Sequence, residues 1–122
     1  MGWTTLETNR HQDHVIAHVI GATPASHFAH DETAYVVLDI GFIWNIYLDM
    51  EMGLVPQVMA LSELGVDEES FQAIDVECGP IESVELLEDD QERRLVLNCE
   101  HGAWVIETSL SHRWIRVHPW LK

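Results

Sequence analysis

Residues 83–119, SVELLEDDQERRLVLNCEHGAWVIETSLSHRWIRVHP, constrain the fold more than any other part of this chain. Leu95, Leu97 and Cys99 alternate with Arg94, Val96 and Asn98; further on, Trp104, Ile106 and Thr108 alternate with Ala103, Val105 and Glu107. A period of two marks half-buried strands, because successive side chains leave a pleated backbone on opposite sides. Polar turns separate the runs, one of them carrying Gly102, and the spacing suits hairpins. In the last twelve residues, SHRWIRVHPWLK, Pro119 opposes a helix and belongs at a strand edge or end. Alternation there puts Ile115, Val117 and Leu121 on one side and His112, Trp114, Arg116, His118 and Trp120 on the other.

The preceding part of the chain extends the pattern. FIWNIYLDMEMG reads as one strand with Trp44, Ile46, Leu48, Met50 and Met52 on one side and Asn45, Tyr47, Asp49 and Glu51 on the other. Its β-branched and aromatic content favours strand over a rival helix at 33–48. Gly41 marks a bulge or turn before it. In VDEESFQAI, Asp67 is a plausible N-cap and the acids that follow complement a helix dipole, which predicts one short helix over 67–75. Gly79 and Pro80 then break the chain. The expected class is α+β: β-dominated, with a mainly antiparallel sheet or partly open barrel and one short helix near 67–75. A single domain over 1–122 is long enough for one ordinary core.

Charge limits function. Against 21 acids stand six lysines and arginines, a net charge of -15. Residues 1–62 carry -6, residues 63–92 carry -12 with no base at all, and residues 93–122 carry +3. Such a molecule repels a polyanion at long range, so nucleic acid is an unlikely partner. A basic protein would instead be steered toward it. A solvated acidic face that only keeps the chain soluble is the plainer alternative. No run reaches the ~18 apolar residues of a membrane span. MGWTTLETNR lacks the features of a secretory signal, so a cytoplasmic location is expected, with Cys78 and Cys99 as free thiols.

Candidate sites follow from residue type. His14 and His18, with His11, share a face if HQDHVIAHV is helical, and His14 and His18 remain neighbours if it is a strand. Together with His27 and His30 they could ligate zinc or another transition metal, although no established zinc spacing is present. Asp49 and Glu51 beside Tyr47 offer a carboxylate pair, whose plain reading is a solvated strand face. Ser109, Ser111 and His112 lie close together without a visible third member of a triad. Trp114, Arg116, His118 and Trp120 form a face of the residue types enriched where proteins meet. The alternative is an Arg–Trp ladder answering the acidic block of the same chain. Catalytic motifs are missing, so the expectation is a non-catalytic protein-interaction module, inhibitor- or immunity-like, with a basic partner and self-association into a homodimer. A metal-dependent protein and a small-molecule-binding β-barrel lined by Trp and Met are the alternatives.

Overall fold

Alternating sequence becomes two antiparallel sheets. The computed structural model of the protein describes residues 2–58, 71–74 and 78–119. Its strands are β1 (Thr4–Thr5), β2 (Pro24–His30), β3 (Thr33–Leu38), β4 (Phe42–Tyr47), β5 (Met52–Pro56), β6 (Gln72–Ala73), β7 (Ile81–Asp89), β8 (Glu92–Cys99), β9 (Gly102–Ser109) and β10 (Trp114–Pro119). One sheet is ordered β1-β7-β8-β9-β10 and the other β5-β4-β3-β2-β6, and they do not close into a barrel. The β7–β10 meander is the arrangement the period-two pattern predicts. Leu95 pairs with Ile106 and Ile106 with Val117, so the apolar sides of three strands coincide.

Both sheets face one core. Val36, Leu38, Trp44, Ile46 and Met50 from the first half meet Leu95, Leu97, Ile106 and Ile115 from the second, and most are fully shielded from water. Burying a side chain of this size stabilises by roughly 1.5–3 kcal/mol, so these residues supply the main driving force for joining the sheets. A buried hydrogen bond from Thr108 Oγ1 to the Leu48 carbonyl, 3.0 Å, crosses between them. The tryptophans and methionines of this interior are packed as core, where a ligand-binding barrel would have lined a cavity with them.

The described helix, α1, spans Arg10–Val19. Asn9 caps it reciprocally with Gln12: the Asn9 side chain accepts from the Gln12 amide at 2.8 Å, and the Gln12 side chain accepts from the Asn9 amide at 2.9 Å. Such a capping box satisfies two otherwise orphaned donors. Val15 and Val19 join the core, while buried Gln12 donates to the Met50 carbonyl at 2.9 Å. The histidines of HQDHVIAHV are therefore helical.

Two expectations need correction. Most of the helix expected over 67–75 lies outside the described residues. Within the described part, Gln72 and Ala73 form β6 and pair with His27 and Ser26. The single strand expected through Met52 is instead a hairpin: β4 ends at Tyr47, residues 48–51 turn, and Met52 pairs back with Ile46. Met50 takes φ 70° at this turn and its amide donates to the Tyr47 carbonyl at 2.8 Å. Methionine rarely adopts that conformation, and here its side chain is wholly buried. Alternation through the turn hid the reversal, since Leu48, Met50 and Met52 are all apolar and all buried.

Candidate partner-binding surface

Four hairpin turns gather at one end of the sandwich. The β2–β3 turn carries Asp31 and Glu32, the β4–β5 turn Asp49 and Glu51, the β7–β8 turn Asp90 and Gln91, and the β9–β10 turn residues 110–113. Antiparallel topology forces alternate turns of each sheet to the same end. Core packing then brings the two sets together. Arg113 forks onto Glu32, with Nε donating to Oε1 at 2.9 Å and a second, shorter bond from Nη2 to Oε2. Leu110 N donates to the Gln91 carbonyl at 2.8 Å. One shallow cleft is lined by Glu32, Tyr47, Leu48, Asp49, Glu51, Leu110 and Arg113, and a neighbouring one by residues 89–92 with Ser109, Ser111 and His112.

Seven carboxylates therefore collect at this end: Asp31, Glu32, Asp49, Glu51, Asp89, Asp90 and Glu92. Asp31 and Asp90 sit first in two-residue turns at φ 54°, a left-handed conformation that aspartate tolerates better than most side chains. Asp49 accepts the Glu51 amide at 3.0 Å, and Asn9 donates to Glu51 at 3.3 Å. The expected Asp49/Glu51 pair is thus a turn motif in an acidic rim. Tyr47, 44% exposed, adds an aromatic surface beside it.

The outer face of the β7–β10 sheet resolves the cationic tail. Arg94, Glu107 and Arg116 lie in register across β8, β9 and β10. Glu107 Oε1 is 3.2 Å from Arg94 Nε and 3.2 Å from His118 Nε2, and its Oε2 accepts from Arg116 at 3.1 Å. Burial alone would push the Glu107 carboxyl up. The Arg116 hydrogen bond and the charges of Arg94 and His118 outweigh that and hold it below its ordinary value. Two rings cap the ladder, with the Arg94 guanidinium 4.1 Å over Trp3 and that of Arg116 4.5 Å over Trp114. Geometry of this kind is attractive through the ring quadrupole.

Trp114, Arg116 and His118 therefore share one face, as alternation predicts, while Trp120 lies outside the described residues. The counter-charge differs from expectation. It comes from Glu107 within the basic third, and among the described residues Arg93 reaches into the acidic block, 3.5 Å from Glu88. A single glutamate two strands from the end had no visible signal as a hub, apart from its register opposite two arginines.

The histidines separate. The His14 and His18 rings meet at 4.5 Å, tilted by 59°, on exposed turns of α1. Buried His27 packs 5.3 Å from Trp104, and burial lowers its pKa. His30 lies 3.3 Å from Asp31. Among the described residues no three His, Cys, Asp or Glu side chains converge as a metal set. The Ser109 and Ser111 hydroxyls lie 3.3 and 3.1 Å from His112 Nδ1, but Ser109 Oγ also accepts the His112 amide at 3.2 Å. That pattern is a serine-capped turn. Among the described residues no carboxylate pairs with His112 to orient it as a base.

No described helix is long and apolar enough to cross a membrane. No family model, curated protein or solved structure matches the chain.

Proposed function

We propose that this chain is a non-catalytic binding module for a basic protein, engaged through the acidic hairpin end. The observation that carries this reading is an asymmetry in charge satisfaction. Arg94 and Arg116 share Glu107, Arg93 has Glu88 and Arg113 has Glu32, whereas Asp49, Glu51, Asp89, Asp90 and Glu92 on the rim make no side-chain ion pair among the described residues. An anionic rim raises the encounter rate of a cationic partner and discourages anionic ones. Tyr47 and the shallow clefts beside it provide the apolar contact that charge alone lacks.

Capture experiments from the native source test it. The wild-type chain is expected to retain a basic protein at low salt and to lose it progressively as salt screens the contact. A chain carrying Asp49→Asn, Glu51→Gln, Asp89→Asn and Asp90→Asn is expected to retain far less. Undiminished retention by that variant, or capture indifferent to salt, contradicts the proposal.

A further inference from the structure

The two cysteines, 21 positions apart in sequence, are neighbours in space. Cys99 ends β8 opposite Ile81, and Gly102 faces it across the β8–β9 turn. Cys78 is held over the same turn, its carbonyl accepting the His101 amide at 2.8 Å, while the Pro80 carbonyl accepts the Glu100 amide at 3.0 Å. The Cys78 sulfur lies so close to Gly102 that a Cβ placed there would sit 3.1 Å from Sγ. Glycine at 102 thus leaves room for the sulfur, and both thiols are buried, free and within hydrogen-bonding reach of one another.

We propose that Cys78 and Cys99 form an intramolecular disulfide on exposure to a small-molecule disulfide such as oxidised glutathione, clipping the entry of β7 to the β8–β9 turn. Burial first, then the Cys78 hydrogen bond and the charge of Glu82, pushes the Cys99 thiol up to about 12. Cys99 is therefore protonated near neutrality, so the first attack falls to Cys78, whose thiol proton passes to solvent as it reacts. It bonds to one glutathione sulfur and expels the other as glutathione thiolate, which takes up a proton. Cys99 then loses its proton to solvent and attacks the Cys78 sulfur, releasing the second glutathione. Two protein thiols become one disulfide, and the two electrons and two protons end on two glutathione molecules. Closing a loop of roughly 20 residues restricts the unfolded chain.

Intact-mass measurement and thermal unfolding of the full chain after a day in oxidised glutathione test this. A loss of two hydrogens, no thiol titratable after denaturation, a Cys78–Cys99 cross-linked peptide and a Tm about 10 °C higher are expected, all reversed by dithiothreitol. Cys78→Ser and Cys99→Ser each remove the mass loss and the Tm shift. Two thiols still free, a persisting glutathione adduct on the wild-type chain, or a covalent dimer would overturn the proposal. Should either serine variant fail to fold, the wild-type mass and peptide map decide alone.

Discussion

The outer face of the β7–β10 sheet and the hairpin end a few residues away treat charge in opposite ways. On the sheet, Arg94, Arg116 and His118 converge on Glu107, whose side chain is only 13% exposed, and two tryptophans cap the arginines. At the turns, carboxylates outnumber cations, and those that are bonded mostly accept from their own turn or from Asn9. A charge surrounded by partners in register is part of the sheet's own stability. A charge left facing solvent creates a field that acts on other molecules. Under the proposed function, the tryptophan-rich face serves the sheet's own stability and the acidic end serves recognition.

The comparison breaks most visibly at Glu107. Replacing Glu107 with Ala removes the carboxylate that Arg94, Arg116 and His118 share. Because the carboxylate is largely buried but its partners are partly exposed, a loss of about 2 kcal/mol is expected in urea unfolding, below the cost of breaking a fully buried pair. A change within experimental error would show the ladder to be ornamental. Neutralising Asp49, Glu51, Asp89 and Asp90 is expected to do the reverse. Stability should move by no more than about 0.5 kcal/mol per site. Partner affinity should fall at least tenfold, about 1.4 kcal/mol.

The third effect is smaller. Trp114→Ala with Arg116→Ala removes one cation–π contact and one partly exposed ion pair, about 1 kcal/mol of stability, measured by thermal unfolding against wild type. Partner binding is expected to stay unchanged. Lost binding at full stability would transfer the recognition role to this face.

The smallest effect is one of pH. His27 has a folded pKa below the ordinary 6.5, so the unfolded chain binds a proton first as the medium is acidified. Stability is complete above 6.5 and falls as pH drops below it toward the folded value. His27→Phe keeps the contact with Trp104 and should flatten the change in stability between about pH 7 and about pH 5. The Glu107 contribution runs lower on the scale. It is fully present above the ordinary carboxylate value of 4.5 and is lost as pH falls through the depressed folded one. A wild-type profile whose upper step survives His27→Phe would place that titration elsewhere.

How far the sequence reveals these two regions depends on the distance over which each is encoded. The meander was legible because alternation is local: Leu95, Leu97, Trp104, Ile106, Ile115 and Val117 each declare their face from immediate neighbours. The sorting of Trp114, Arg116 and His118 to one face follows from the same rule. Pairings between strands carry no such mark. Glu32 meets Arg113 only because two sheets stack, and Glu107 becomes a hub only once register sets it between Arg94 and Arg116. The β4–β5 turn escaped notice for a different reason. Met50 turns the chain with a positive φ and an apolar buried side chain, where a glycine or asparagine would have marked the reversal. The Asn9 cap, by contrast, is written locally, since Asn followed three residues later by Gln is the capping-box signature.

The division of labour between the two regions is tested most directly by the equilibrium dissociation constant of the captured partner. It should be measured at low and moderate salt for three chains: wild type, the four-site neutralised acidic end, and Trp114→Ala with Arg116→Ala. At least a tenfold weakening with a flattened salt dependence is predicted for the neutralised end, and less than about a twofold change for the sheet-face variant. Equal weakening of the two variants, or weakening confined to the sheet face, would contradict the account.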